Sequence, residues 1–137
     1  MRKMISMTLV FVCVLLLAGC GTTVNVKIDI GESRIFTADD RNAAAQVILQ
    51  RVDASEAIKK LYRITYAGDE ESEAETAYYS NYESCAHDEI IVFKIVFRAA
   101  DGARAGGFNP GELYTDFSYM LGRNDGGAWE FVTAGYA

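Results

Sequence analysis

The chain has 137 residues; half are apolar, sixteen are aromatic, and 13 Lys and Arg stand against 19 Asp and Glu. That composition belongs to a folded chain rather than a disordered tail. A net charge of −6 argues against nucleic acid as a partner, whose phosphates need a basic surface, and against an added electrostatic grip on anionic lipid.

Arg2 and Lys3 open the chain, Met4 to Leu17 carries no charge, and Ala18, Gly19 and Cys20 follow. The order basic, apolar, small is that of a secretory signal, because the apolar stretch falls short of the roughly 18 residues that cross a bilayer. Leu17-Ala18-Gly19-Cys20 resembles the lipobox of bacterial lipoproteins at all four positions. The resemblance implies a diacylglyceryl group on the Cys20 thiol, loss of residues 1–19, and Cys20 as the first mature residue. Two acyl chains are the two signals that stable anchoring needs, at about 0.8 kcal/mol per buried methylene. The implied location is the extracytoplasmic side of the cell membrane, with the membrane as a partner through the lipid on Cys20. Cleavage removes two basic residues and no acid, which leaves 11 basic against 19 acidic side chains, net −8. Residues 20–31 then form a lipid-anchored linker or an edge strand, and residues 32–137 a single α+β domain.

Cys13 leaves with the signal and Cys20 takes the lipid, so Cys85 is alone and no intramolecular disulfide forms in the mature chain. With only His87 nearby to lower its pKa, Cys85 reads as a small, partly buried hydrophobe.

Val24, Val26, Ile28 and Ile30 alternate with polar residues or glycine, the period of an extended segment. Thr37 and Asp40 then form a capping-box pattern, with Asp39 and Asp40 at the positive end of a helix that runs to about Val52. Ala45, Ile48, Leu49 and Val52 make its buried stripe, and Ala43 to Ala45 allow close approach to a sheet. Ser55 caps a further short turn through Ile58. Leu61 to Tyr66 reads as a strand with Tyr62, Ile64 and Tyr66 on one face. Asp69 to Glu75 carries five carboxylates and leads into Ala77, Tyr78, Tyr79 and Tyr82, an acidic-fronted second helix. Glu89 to Arg98 is apolar on nearly both faces and reads as a central strand. After a Gly-rich loop with the turn Asn109-Pro110-Gly111, the strand Leu113 to Arg123 points Leu113, Phe117, Tyr119 and Leu121 one way. Asn124-Asp125-Gly126-Gly127 reads as a hairpin turn before a last strand, Ala128 to Thr133, which carries Trp129 and Phe131 on one face. Phe93, Ile95, Phe117, Tyr119, Leu121 and Trp129 are expected in one core. The class is α+β, with two N-terminal helices on one side of a curved antiparallel sheet.

Three segments carry a second resemblance: Glu32 to Thr37, Tyr114 to Arg123, and Trp129-Glu130-Phe131 with Gly135-Tyr136. Together they resemble a family of small uncharacterised lipoproteins of Gram-positive bacteria, over about Glu32 to Tyr136. The resemblance implies an α+β roll similar to the cystatin-like or nuclear-transport-factor-like folds, and no activity or site residue. Such rolls host many functions.

The residues point to no catalytic, cofactor or metal site. Cys85 and His87 make half a zinc site with nothing to complete it, so His87 reads as a surface loop residue. The acidic run lacks the alternating ligands and glycine of a calcium loop. No G-x-S-x-G, H-E-x-x-H or S-x-x-K pattern is present. Seven tyrosines between Tyr62 and Tyr119 read as core residues with hydroxyls at its edge. The function expected is that of a non-catalytic, membrane-anchored domain that binds a protein, a wall component or a small ligand. The alternative is a small pocket enzyme, isomerase- or hydrolase-like, in which a Tyr and a buried carboxyl transfer protons. An enclosed pocket with an upshifted carboxyl beside a Tyr would favour the enzyme; a filled core with exposed aromatics would favour binding.

Overall fold

The computed structural model describes residues 22–82 and 87–136; the expectations for the signal, Cys20 and Cys85 lie outside the described residues. The element order is β1 (Lys27–Asp29), α1 (Ala38–Asp53), β2 (Ile58–Tyr66), α2 (Asp69–Ser80), β3 (Glu89–Ala99), a 3-10 turn (Gly102–Ala105), β4 (Leu113–Arg123) and β5 (Glu130–Gly135). The class is α+β, and the five strands lie in one sheet in sequence order, with β3 in the middle. Two parts of the expectation are corrected. The helices do not precede the sheet but alternate with its first strands. The sheet is mixed rather than antiparallel, because β1 pairs with β2 in parallel, Ile28 opposite Ile64. α1 makes this possible: a parallel neighbour needs a crossover that brings the chain back to the end where it started.

α1 starts where its capping chemistry puts it. The Thr37 side chain accepts from Asp40 N at 3.0 Å, and the Asp40 carboxylate accepts from Thr37 N at 3.1 Å. Arg41, Ala44, Ala45, Ile48 and Val52 form its buried stripe, with Leu49 packed at the margin and Ala43 exposed. Ser55 opens no helix; the chain turns there and enters β2 at Ile58.

β-bulges correct two readings of strand faces. β2 carries an extra residue twice, between Ile58 and Lys60 and between Leu61 and Arg63. Each bulge inverts the inward-outward phase. Ile58, Leu61, Ile64 and Tyr66 therefore point inward and Tyr62 outward. In β4 the step from Phe117 to Tyr114 opposes the shorter step from Ile95 to Phe97. Tyr114 is buried in consequence, and Leu113, expected inside, is 42 % exposed. The last strand runs Glu130–Gly135, later than expected, with Trp129 just before it.

The main core lies between α1 and one sheet face. It includes Phe93, Ile95, Phe117, Tyr119, Leu121 and Trp129, all six expected there. The two helices do not share that face. Ile90, Val92 and Met120 form a separate cluster on the opposite face, covered by Tyr79 of α2 together with Ala67 and Val132.

α2 also does something no strand pattern announces. β2 ends opposite Phe93, so the first residues of β3 have no strand on that side. Two hydroxyls one helical turn apart take its place. Ser72 Oγ accepts from Val92 N at 3.1 Å, and Thr76 Oγ1 accepts from Ile90 N at 3.0 Å. Buried backbone donors must find partners, and here a helix supplies them.

Candidate interaction surface

Three places concentrate polar or aromatic side chains. The first is where the loop after β1 meets α2. Asp69 accepts from Ser33 Oγ at 2.5 Å, Arg34 N at 2.8 Å and Tyr66 Oη at 2.7 Å. The Ser33 donor, then the Arg34 amide and the Tyr66 hydroxyl, hold this carboxyl below its ordinary range. Beside it, Arg41 spends its guanidinium on the carbonyls of Ile30, Gly31 and Phe36. An open depression of about 460 Å³ is lined by Glu32, Ser33, Arg34, Arg41 and Asp69. A tyrosine and a carboxyl do meet here, but the carboxylate is stabilised as the anion, the reverse of what a proton-donating acid needs. Ser33 already accepts from Ile35 N and Phe36 N, and its partner Asp69 is a weakened base, so the pair is a loop staple rather than a nucleophile and base.

The second place is the far end of β4. Arg123, 8 % exposed, binds Asp40 at 2.8 Å and Glu89 at 2.6 Å, with its guanidinium 4.3 Å from the Trp129 ring centre. The indole N–H donates to Asp40 O at 3.0 Å. The Arg123 bond holds the Asp40 carboxyl down to about 2 against an ordinary 3.8. His87 is not the free loop residue expected. Its side chain is 16 % exposed, its Nε2 lies 3.0 Å from Glu130, and its ring fills the space where a Cβ on Gly122 would stand. The hub ties α1 to three strand ends.

The third place is exposed. α2 begins with Asp69, Glu70 and Glu71 and ends in tyrosines. Tyr78 and Tyr82 are 53 % and 48 % exposed, with ring centres 5.0 Å apart. Four residues apart, they lie on one side of the chain. The Tyr82 hydroxyl donates to the Tyr78 hydroxyl at 2.9 Å. Tyr79 turns the other way, edge-on to Tyr78 at 5.2 Å, and anchors the patch to the sheet. The outcome is a fixed aromatic shelf with Glu73 and Glu75 one turn before it.

The acidic run was legible as a helix front, yet Asp69 within it is a structural acceptor for a loop 35 residues away in sequence. No local signal could have found the Ser33–Asp69 or Asp40–Arg123 pairs, because their partners are 36 and 83 residues apart. Among the described residues, no group of three His, Cys, Asp or Glu side chains is placed to hold a metal ion. None of their buried side-chain N or O atoms lacks a hydrogen-bond partner. No described helix is long and apolar enough to cross a membrane. Comparison with protein-family models, curated proteins and solved structures finds no match for this chain.

Proposed function

We propose that the protein is a lipid-anchored extracytoplasmic lipoprotein whose folded part is a non-catalytic binding domain. The anchor reading rests on Leu17-Ala18-Gly19-Cys20 after an uncharged run. The observation that carries the binding reading is the Tyr78–Tyr82 shelf at the C-terminal end of α2, two exposed rings side by side; among the described aromatic residues Tyr62 and Tyr136 are also exposed, but neither is paired with a second exposed ring. Aromatic rings with polar tips suit recognition, because they bury area at low entropic cost and still reach a hydrogen bond. The enzyme reading has less support: Asp69, bonded by the buried Tyr66, lines an open depression, and its carboxyl is held below its ordinary range. The fold, in this reading, is a variant of the cystatin-like or nuclear-transport-factor-like roll, supported by one long helix against a bulged meander. The likeness to small Gram-positive lipoproteins belongs to the same proposal.

Two experiments test it. Cys20→Ser should abolish membrane partition and the lipid mass; a variant that stays membrane-bound at unchanged mass sinks the anchor. In-cell cross-linking should give the wild type a partner that Tyr78→Ser with Tyr82→Ser loses while folded and anchored. Equal capture by both proteins would remove α2 as the binding surface.

A further inference from the structure

We propose that the end of the domain bearing Thr22 rests directly on the lipid headgroup layer, so that the sheet rises from the bilayer and α2 lies outermost. The inference rests on the reading that Cys20 carries the lipid. The fold binds the chain almost at once after that residue. Thr22 O accepts from Leu61 N at 3.0 Å, and Val26 and Ile28 pack against the main core. Only Gly21 separates Cys20 from Thr22. Two peptide units span at most about 7 Å. The headgroup region of one leaflet is about as thick, roughly 5–7 Å. A lipid seated at glycerol depth therefore cannot hold the domain clear of the surface. Residues 20–31 leave no room for a spacer, because β1 and Thr22 are already parts of the fold.

Charge placement favours the same face. The end around Thr22 is built from the start of β2, the end of β3 and the 3-10 turn, with Thr22, Lys59, Asp101 and Arg104 around one depression of about 520 Å³. Lys59, Lys60, Arg98 and Arg104 stand there among Asp53, Glu56, Asp101 and Glu112, so this end is balanced in charge. The excess of acid on the mature chain lies towards the other end, in the first turn of α1, in α2 and around the β4–β5 turn. An anionic surface repels that end and tolerates the balanced one. No basic grip is required, since the covalent tether supplies the attachment.

Vesicles of anionic and zwitterionic phospholipid whose headgroups carry a nitroxide quencher test this with the full lipidated protein. Trp129 is the single tryptophan and sits at the far end beside Asp40 and Arg123. β4 alone spans eleven residues, about 35 Å, between the two ends. Wild-type emission should be unchanged by the quencher. Ala103→Trp, in the exposed 3-10 turn, should add an emission that is mostly lost. Leu113→Trp, at the same end, is a second reporter should the first disturb its loop, and Ala74→Trp on α2 should stay bright. Protein that floats with the vesicles but keeps the added emission of Ala103→Trp and Leu113→Trp overturns the orientation alone. Quenching of Trp129 or of Ala74→Trp to the same extent overturns it too. Protein that fails to float overturns the anchor, and the proposal with it.

Discussion

Asp40 shows how much one side chain is asked to do. It closes the capping box, pairs with Arg123, and its carbonyl takes the Trp129 N–H. Its carboxyl titrates at about 2 in the folded chain against an ordinary 3.8. The folded state thus binds fewer protons, and the stabilisation is complete above 3.8 and lost as pH falls towards 2. Asp40→Asn should cost about 1–3 kcal/mol at pH 7 in urea titration, as bonds to charged groups do. It should also flatten the loss of stability across that acid window. His87 and Gly122 form a second local pair. Gly122→Ala would set a Cβ 2.5 Å from His87 Cγ and must displace the ring. We expect about 1–3 kcal/mol of destabilisation from that overpacking. His87→Ala should cost about 1 kcal/mol, more than a free surface residue would. In the double variant most of the Gly122→Ala cost should vanish, and additive costs in the cycle would refute the contact.

At the scale of elements, α2 is both a cover and an edge. Ser72→Ala would strip Val92 N of its acceptor in a buried setting. We expect about 1–3 kcal/mol, the cost of an unsatisfied buried donor, and faster hydrogen exchange at Val92 than at Lys94, whose amide faces β2 opposite Thr65. Unchanged exchange at Val92 would mean that the hydroxyl does not hold this edge. The β4–β5 turn was readable from its residues alone. Asp125 and Gly126 have φ of 52° and 68°, as a type I′ turn requires, and Gly127 N closes it on Asn124 O at 2.8 Å.

The whole molecule is organised around a sheet with a main core on one face and a small cluster on the other. Phe93 is fully buried in the main core, 5.7 Å from the Tyr66 ring centre. Phe93→Ala should cost about 3–5 kcal/mol and lower the melting temperature accordingly, as large-to-small core changes do. A melting temperature within error of the wild type would contradict that burial. The polar hub at Arg123 and the shelf on α2 both lie away from Thr22. The mature chain, if anchored at Cys20, offers its acidic and aromatic side to the surroundings.

The sequence by itself determined what depends on neighbours a few residues apart. The Thr37 cap, the α1 stripe, the Asp125–Gly126 turn, the central place of β3 and the Tyr78–Tyr82 spacing all follow from local dihedral preference and periodicity. Tertiary structure alone decided the rest. A bulge in β4 exchanged Leu113 for Tyr114, because one inserted residue inverts a period of two. The parallel partner of β1, the face given to α2, and the bonds from Ser33 to Asp69 and from Arg123 to Asp40 depend on which surfaces meet. Contacts across 36 and 83 residues leave no period in the chain, since the energy that selects them exists only once both partners are buried together.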